Sequence, residues 1–569
     1  MTDITERSLP DHWSLPGLHP VLARIYAARG VTSEQELELT LKAMLPYRSM
    51  KGIEQAAGLL EPVVTQGKRL LIVGDFDVDG ASSTALAIRA LRLLGAADVQ
   101  YLVPNRFDYG YGLSPELAQV AVGMAPDLIM TVDNGIASHE GIEVARAAGI
   151  EVLVTDHHLP GATLPAAAAI VNPNQPGCEF PSKAACGCTV VFYLMLALRA
   201  RLAERQLLPE PAPNMAQLLD LVALASVADV VPLDHNNRIL VEQGLRRIRA
   251  GFACAGILAL LQVAGRESSR IVAADFGFAV GPRLNAAGRL DDMSLGIECL
   301  LTDDPGRALE LARTLDEMNR DRRDIEQGMQ QEALEFLKAF DANGQWPTGV
   351  CLYHPQWHQG VIGILASRIK EKVHRPVIAL AADEQGMLKG SARSIPGLHM
   401  RDALDEVDKL APHLMKKFGG HAMAAGLTLN AGALDEFALL FDRVCAQHLT
   451  EAQLRQQIET DGLLAGADIN LELAHLLRWA GPWGQAFPEP VFHGDFVIVQ
   501  QRLVGERHLK LTLKPEGSDD LVDAIWFGID LNRWPDERVE RVHCAYQLDV
   551  NEFRGRQSVQ LMIKTMEAQ

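Results

Sequence analysis

The sequence has no long apolar run, and none approaches the ~20 residues of a membrane-spanning helix. Its first residues, MTDITERSLPDHW, are polar and acidic. They contain neither the basic stretch nor the apolar stretch of a secretory signal peptide. We therefore expect a cytoplasmic protein that does not associate with membranes.

Cysteine is also scarce, with eight in 569 residues. Only Cys178, Cys186 and Cys188 lie near one another, and their spacing fits no standard zinc-binding pattern. Reduced, mostly buried thiols are the better interpretation, and they agree with a cytoplasmic location.

Positive charge is in deficit, since 72 Asp and Glu against 53 Lys and Arg give a formal net charge of −19. This balance disfavours loose, non-specific coating of DNA, but it describes the whole molecule and not the charge of one groove. Aspartates that bind metal ions also enlarge the negative count, and the bound cations would cancel it locally. A narrow channel for nucleic acid stays compatible with the composition.

The chain is long enough for several domains, because single hydrophobic cores stop growing near ~250–300 residues. Strand-like apolar runs alternate with Ala- and Leu-rich helical segments, which predicts an α/β fold with a parallel sheet. Short strand-like runs towards the C-terminus predict a small β-barrel. The predicted division is a helical lead-in at 1–45, a parallel-sheet domain at 46–303, a long connecting helix at 304–340, a second α/β domain at 341–460 and the barrel at 461–569.

Acidic residues follow three predicted strands at the point where each strand ends. They are Asp75, Asp77 and Asp79 after the run 69–73, Asp133 after the run 128–132, and Asp156, with His157 and His158, after the run 152–155. Ligands of open parallel sheets bind outside the carboxyl ends of the strands, so we expect these side chains to meet. Alternate side chains of an extended segment point the same way, so the first three carboxylates should share a side. Gly80 should then allow a tight turn into the next helix.

Crowded carboxylates raise one another's pKa, so a positive group is expected among them. Oxygen-rich sites with one imidazole suit Mg²⁺ or Mn²⁺ better than zinc. Two such ions ~3.5–4 Å apart form the usual clamp for phosphoryl displacement. The alternative is an acidic turn with helix caps, since Asp is a good N-cap. Three strand ends in succession favour the metal site.

Five motifs, taken in order, resemble those of the DHH phosphoesterase superfamily. They are GDFDVDG at 74–80, VDNG at 132–135, TDHH at 155–158, SVADVVP at 226–232 and GGHAMAAG at 419–426. The resemblance covers nearly the whole chain, and the order and length match the bacterial single-strand-specific exonucleases of that superfamily. It implies a DHH-type parallel-sheet domain, a DHH-associated α/β domain after the long helix, and a C-terminal domain similar to an OB-fold.

The resemblance also implies roles for residues around two Mn²⁺ or Mg²⁺ ions. The implied ligands are Asp75, Asp77, Asp79, Asp133, His157 and Asp229. Asp133 would bridge the ions and Asp156 would orient a neighbouring histidine. His158 would contact the scissile phosphate, so Asp133, Asp156 and His158 are the predicted catalytic residues. Asp75 either binds an ion or acts through another ligand, because Val73 stands where related small-substrate enzymes carry a histidine.

Several further residues are predicted to hold DNA. Arg106 would lie near the 5′ phosphate, by the same resemblance. Arg283, Asn285 and Arg289 lie in the glycine-framed stretch GPRLNAAGR, which we expect to be a loop. Arginine forks match phosphate oxygens, although surface salt bridging is the alternative. The second α/β domain would contribute His358, Ser391, Arg393, Gly420 and His421.

The barrel would bind a single strand by a positive groove and aromatic stacking. Trp526 and Phe527 could stack on bases or belong to the barrel core. Enzymes of the superfamily that cleave small substrates need no such domain. The barrel therefore favours a polymeric substrate.

The resemblance thus implies a metal-dependent exonuclease that degrades single-stranded DNA from the 5′ end to mononucleotides, in recombination and repair including mismatch repair. A groove between the two lobes would admit one strand only. The expected partners are single-stranded DNA, a RecQ-type helicase and a single-strand-binding protein, with the chain acting as a monomer. One alternative is a DHH-family phosphoesterase acting on short oligonucleotides or small phosphorylated substrates. Another is a non-catalytic strand-binding subunit, which should have lost metal ligands that this chain retains.

Overall fold

The computed structural model describes residues 3–105, 109, 111–343, 346–383, 385–531, 534–536 and 538–569. Two compact units divide the chain: one comprises Glu6–Met318 and Glu459–Gln569, the other Met1–Thr5 and Asn319–Ile458. Among the described residues, no helix combines the length and apolar character that crossing a membrane requires.

The first unit is built around a five-stranded parallel sheet with the strand order β3-β2-β4-β5-β6. The chain begins with β1 (Asp3–Glu6), most of which belongs to the other unit. The elements that follow, up to the last strand of the sheet, are α1 (Pro20–Ala28), α2 (Ile53–Thr65), β2 (Leu70–Val73), α3 (Val78–Leu94), β3 (Val99–Leu102), α4 (Pro115–Gly123), β4 (Leu128–Val132), α5 (His139–Ala147), β5 (Glu151–Thr155) and β6 (Ala169–Val171). Every residue of β2 and β4 is buried. Strands buried on both faces read as continuous apolar runs, so the predicted parallel α/β fold is confirmed.

Helices complete this part of the unit, and several of them pack against α3. They are α6 (Gly187–Glu204), α7 (Leu219–Ala228), α8 (His235–Arg249), α9 (Ala255–Val263), α10 (Ala273–Asp275), a π-helical turn at Phe276–Val280, α11 (Gly281–Leu290) and α12 (Ser294–Leu301). Short 3₁₀ turns lie at Glu34–Leu37, Leu41–Ala43, Tyr47–Ser49, Met215–Leu218 and Ser268–Arg270. Helices α6 and α7 both contact α3, which holds the start of α3 in the interior.

A long helix, α13 (Pro305–Asn343), carries the chain from one compact unit into the other. The interior of the sequence 304–340 contains one glycine and no proline after its opening residues, which is why a single helix persists over this length. The long connecting helix of the predicted fold is confirmed.

The second unit contains a mixed five-stranded sheet of order β10-β11-β9-β8-β7, in which only β7 and β8 run parallel. Its elements are β7 (Val350–Tyr353), α14 (Ile362–Val373), β8 (Val377–Ala382), β9 (Leu388–Arg393), α15 (Met400–Leu410), β10 (Met415–Gly420), β11 (Ala424–Leu429), a 3₁₀ turn at Ala431–Ala433 and α16 (Leu434–His448). Phe437 and Phe441 of α16 are fully buried in a core of its own.

The C-terminal part is a closed five-stranded barrel of order β13-β14-β15-β17-β16. Its elements, with the segment before it, are β12 (Gln457–Thr460), a 3₁₀ turn at Gly466–Asp468, α17 (Leu471–Trp479), β13 (Phe492–Val504), β14 (His508–Pro515), β15 (Val522–Phe527), β16 (Arg541–Phe553) and β17 (Arg556–Ala568). Burial alternates along β14 with the period of two that separates barrel interior from surface. The predicted OB-like barrel is confirmed.

Helix α1 is tied to the segment that precedes the barrel. Arg29 and Asp461 form an ion pair of 2.7 Å in which both side chains are only 1% exposed. The hydroxyl group of Tyr26 donates to the carbonyl oxygen of Ala480 at 2.7 Å. The lead-in therefore packs into the first compact unit.

Candidate metal centre and DNA-binding residues

The acidic turn after β2 passes directly into α3. Asp77 is the N-cap of this helix, and its Oδ1 accepts from the N–H of Gly80 at 3.0 Å. Asp79 lies in the first helical turn and is fully buried. The expectation that all three carboxylates share a side of one extended segment is therefore wrong, because the helix starts within the motif. Gly80 is needed for close approach and not for a turn, since a β-carbon there would lie 2.6 Å from that of Asp75.

Asp133 leaves β4 in a backbone conformation that is rare for a residue other than glycine, with φ of 62°. Its N–H donates to the carbonyl oxygen of Thr155 at 3.0 Å, and the residue is 2% exposed. The side-chain amide of Asn134 donates to the carbonyl oxygens of Val73 and Val132. These bonds join the ends of neighbouring strands and place Asp133 beside the acidic turn.

The strand end after β5 is organised by Asp156. Its carboxylate accepts from the N–H groups of Ile136, His157 and His158 and lies 2.8 Å from Nδ1 of His158. Burial would raise the pKa of Asp156, but the contact with His158 outweighs it and the pKa is lowered. Burial in turn opposes protonation of His158, whereas Asp156 raises its pKa to about 9. Asp156 therefore orients the ring of His158.

His157 is the meeting point of the carboxylates. Its Nε2 lies 3.1 Å from Oδ1 of Asp133, 3.6 Å from Oδ2 of Asp229 and 3.8 Å from Oδ2 of Asp79. Asp229 reaches this point from the C-cap of α7. Two groups of three side chains suit a metal ion, Asp79 with His157 and Asp229, and Asp75 with Asp77 and Asp133. Asp133 also forms such a group with His157 and His158, so it belongs to both sides of the cluster.

A cation fits this cluster on electrostatic grounds. Burial, followed by the charges of Asp79 and Asp77, raises the pKa of Asp133 and that of Asp229 well above the usual range. Oδ1 of Asp133 and Nε2 of His157 are buried and have no hydrogen-bond partner in the described part of the chain. Burial lowers the pKa of His157, which favours the neutral imidazole that binds metals. Carboxylate oxygens with one imidazole match Mn²⁺ or Mg²⁺.

The N-terminus of α6 donates hydrogen bonds to the cluster, an interaction that the sequence did not indicate. The N–H groups of Gly187 and Cys188 donate to the carboxylate of Asp79 at 2.6 and 2.8 Å. This use of a helix N-terminus stabilises a negative charge that burial would otherwise penalise. Cys186 and Cys188 are buried free thiols whose pKa is raised by burial, in agreement with the prediction of reduced, buried thiols.

Tyr111 is a second neighbour that sequence reasoning missed. Its hydroxyl group donates to the carbonyl oxygen of Asp133 and lies 3.2 Å from both ring nitrogens of His158. Residues 109–112 have the sequence YGYG, which is typical of a loop and does not predict this contact. The predicted Arg106, a few residues earlier, lies outside the described residues.

The stretch containing Arg283, Asn285 and Arg289 is helix α11 and not the predicted loop, because its glycines lie inside a helix that begins with Pro282 in the first turn. Gly288 packs directly against the carbonyl oxygen of Phe76, with no room for a β-carbon. The helix therefore packs against the acidic turn through Gly288, and its residues Asn285 and Arg289 are half-buried.

Arg283 points elsewhere from the same helix. It is 8% exposed, pairs with Asp316 of α13 at 2.8 Å and donates to the carbonyl oxygen of Ala279. These acceptors favour a role in holding α11 to α13 over contact with DNA. Its assignment to DNA binding stays a prediction.

The predicted residues of the second unit gather at one end of its sheet. Arg393 and Ser391 of β9 lie opposite Ala424 and Gly426 of β11, next to the Gly420–His421 hairpin turn. Arg393 donates to the hydroxyl oxygens of Ser367 and Ser391 and to the carbonyl oxygen of Ala392.

The start of α14 borders the same group. A β-carbon on Gly363 would lie 3.0 Å from both Oγ of Ser391 and the guanidinium of Arg393. His358 precedes this helix and accepts from the N–H of Gly360 at 3.1 Å. Burial lowers the pKa of His358.

In the barrel, the two aromatic candidates differ. Trp526 is half-buried and packs edge-on against Trp534, whereas Phe527 is 53% exposed beside His508. Lys510 pairs with Asp523 at 2.8 Å. Phe527 is thus the better candidate for stacking on a base.

Comparison with known proteins follows the same division of the chain. The DHH family N-terminal domain matches residues 69–226, the DHHA1 domain matches residues 347–447 and the RecJ OB domain matches residues 460–565. The parallel sheet with aspartates and a histidine pair at its strand ends is accordingly that of a DHH-family protein.

Full-length relatives narrow this class further. Two proteins called single-stranded-DNA-specific exonuclease RecJ are similar to this chain. The protein of Dickeya dadantii (strain 3937) is 56% identical to it, and that of Escherichia coli (strain K12) is 54% identical. The matches cover 98% of this chain in each case and 97% and 98% of the relatives. The crystal structure of RecJ from Thermus thermophilus in complex with Mn²⁺ matches with a TM-score of 0.83 at 30% identity, over 100% of this chain and 80% of that chain. This chain belongs to the RecJ family.

Proposed function

We propose that this protein is a metal-dependent exonuclease that hydrolyses single-stranded DNA from the 5′ end and releases mononucleotides. The observation that supports it best is the pair of metal-binding groups that meet at Asp133 and His157 in a chain of the RecJ family. The relatives are called single-stranded-DNA-specific exonucleases, and a relative's structure contains Mn²⁺. The 5′ polarity and roles in recombination and repair, including mismatch repair, belong to the proposal.

Mn²⁺ or Mg²⁺ is the cofactor, and the candidate ligands form two sets. Asp79, His157 and Asp229 would hold one ion, and Asp75, Asp77 and Asp133 the other. When bound, such ions activate water and neutralise the charge that develops on the phosphate. The N–H groups of Gly187 and Cys188 oppose the rise in the pKa of Asp79 that burial causes.

His158 would hold an oxygen of the scissile phosphate. Asp156 fixes its orientation through Nδ1, and the raised pKa of about 9 keeps the ring protonated at neutral pH. A protonated ring stabilises negative charge on the phosphate. Tyr111 limits the rotation of the same ring through its hydroxyl group.

DNA would be held by residues of three parts of the chain. Asn285 and Arg289 lie on the helix that packs against the acidic turn. Ser391, Arg393, Gly420 and His421, with His358, would bind phosphates in the second unit, where guanidinium, hydroxyl and N–H donors converge. Arg106 near the 5′ phosphate, Arg283 and Phe527 complete the proposed contacts.

The cellular setting is part of the proposal as well. The protein would act on chromosomal DNA in the cytoplasm. It would act as a monomer. A RecQ-type helicase would open duplexes for it, and a single-strand-binding protein would present the strand. Both partners are proposals that come from the resemblance of the chain to single-strand-specific exonucleases.

The test is digestion of end-labelled single and double strands with Mn²⁺ or Mg²⁺, by the protein and its Asp133→Ala variant. We expect mononucleotides from the 5′ end of the single strand and no product from the variant. Asp402→Ala removes a 76% exposed carboxylate and should change nothing. Preferential cleavage of dinucleotides over long strands would instead favour the small-substrate phosphoesterase.

A further inference from the structure

A cavity of about 780 Å³ opens in the first compact unit. It is lined by the C-terminal half of α3, the beginning of α7, the end of α8 with the turn that follows, α9, and the connection between α12 and α13. Its volume falls within the ~300–1,000 Å³ of small-molecule sites.

The cavity is remote from the metal centre, although it touches the same helices. Asp79 and Arg92 lie at opposite ends of α3, about 20 Å apart by the rise of an α-helix. Asp229 caps the C-terminal end of α7, whereas Asp220 at the beginning of α7 lines the cavity. A ligand here would occupy a location separate from the reacting phosphate.

Two of the charged groups in the cavity are already compensated by protein partners. Arg89 donates to the carbonyl oxygens of Leu300 and Leu301 and pairs with Asp303 at 2.8 Å. Asp220 is buried and accepts from the N–H groups of Leu221 and Cys254.

Two other guanidinium groups make fewer contacts: Arg92 is exposed, and the charge of Arg247 opposes the rise in the pKa of Asp220 that burial causes. In the part of the chain that the structure describes, neither Arg92 nor Arg247 forms a salt bridge or a side-chain hydrogen bond, and Nε of Arg247 is buried without a hydrogen-bond partner. Two guanidinium groups that line one cavity match a single dianionic group, because each can donate two parallel hydrogen bonds to its oxygens.

An aromatic ring lies next to these charges. Phe252 is 66% exposed, and the guanidinium of Arg247 lies 6.0 Å from the centre of its ring. The N–H of Phe252 donates to the carbonyl oxygen of Arg247, which holds the backbone of Phe252 close to the end of α8. An exposed aromatic ring beside cations suits a ligand that has both an aromatic ring, which can stack, and an anionic group.

We propose that this cavity binds a nucleoside 5′-monophosphate, with the phosphate between Arg92 and Arg247 and the base against Phe252. The choice of a nucleotide among aromatic anions rests on the proposed function, because that reaction releases such molecules. An acidic peptide would distribute its charges along a groove, whereas here the two guanidinium groups belong to one cavity.

Binding of dAMP to the full-length protein, measured by calorimetry, tests this site. EDTA in the buffer keeps metal ions out of the candidate metal centre. We expect one equivalent of dAMP to bind, and the double variant Arg92→Gln/Arg247→Gln to bind it at least 10-fold more weakly while retaining exonuclease activity. Phe252→Ala should weaken dAMP binding but not the binding of inorganic phosphate. Arg246→Gln is the matched control, since Arg246 is on the same helix, pairs with Glu242 and lies outside the cavity.

The proposal is overturned if dAMP does not bind, or if the double variant binds it as tightly as the original protein. Equal affinity for inorganic phosphate and dAMP would overturn the role of the base. If an acidic peptide binds to the original protein but not to the double variant, and dAMP binds to neither, the cavity belongs to a protein partner. Loss of DNA digestion with dAMP binding intact would count against the proposed function and not against this cavity.

Discussion

Gly187 and Asp133 are in such close contact that a β-carbon on residue 187 would lie 2.7 Å from both Cβ and Oδ1 of Asp133. The N–H of the same glycine donates to Asp79 at 2.6 Å. The first residue of α6 therefore touches carboxylates of both metal-binding groups.

Gly187→Ala should displace Asp133 and reduce DNA digestion by roughly 10–100-fold, as supporting changes around metal ligands do. Mn²⁺ binding by calorimetry should weaken in parallel. Gly328→Ala is the control, because nothing lies within 4 Å of a β-carbon at that helical position. It should leave activity unchanged and raise the melting temperature slightly. Full activity in Gly187→Ala would contradict the close contact.

Asp133→Asn should make the metal-free protein more stable. The substitution removes a buried charge whose pKa is raised by burial and by Asp79 and Asp77. In EDTA its melting temperature should exceed that of the original protein. Excess Mn²⁺ should reverse the order, because an ion that binds the folded state at 100 times its Kd adds about 2.7 kcal/mol. A lower melting temperature than the original protein in EDTA would refute this.

Asp229→Ala should remove one of two bound ions. Asp229 belongs to one metal-binding group, with Asp79 and His157, whereas Asp75 and Asp77 belong to the other. Mn²⁺ titrations should give two equivalents for the original protein and one for the variant. Asp75→Ala should lose the other ion, and a retained second equivalent would assign Asp75 to an indirect role.

Arg393→Gln should weaken the binding of single-stranded DNA without altering Mn²⁺ binding. Its acceptors are two hydroxyl oxygens and a carbonyl oxygen, so its positive charge remains for a phosphate. The slope of log affinity against log salt should become shallower by about 0.7 if one phosphate contact is lost. Arg368→Gln, which removes a guanidinium paired with Glu326 and Glu371, should leave that slope unchanged.

Arg283→Met should destabilise the protein by about 3–5 kcal/mol, because the buried Asp316 loses the guanidinium group that lies 2.8 Å away. Adding Asp316→Leu should restore most of the loss, since the buried carboxylate is then removed as well. Urea denaturation of the single and double variants measures both effects. If the double variant is stable but binds DNA poorly, Arg283 contacts DNA after all.

Much of the fold could be predicted from the sequence because its signals are local. The apolar runs before Asp75, Asp133 and Asp156 are short and bounded by Gly and Asp, which marks buried strands of a parallel sheet. The alternating pattern of β14 and the unbroken helical composition of α13 are of the same kind. The glycines of α11 predict a loop, but Gly288 is small because the helix packs against the carbonyl oxygen of Phe76. That requirement comes from a distant part of the chain.

The sequence by itself determined that the candidate metal ligands meet, since Asp75, Asp133 and His157 follow strands that must end at one edge of a sheet. Only the tertiary structure decided how they are supported. The bond from Gly187 to Asp79 spans 108 positions, and the pair Arg283–Asp316 spans 33. Such contacts depend on how helices pack, and no local pattern encodes them. The same holds for Tyr111 against His158 and for the cavity between α3 and α8.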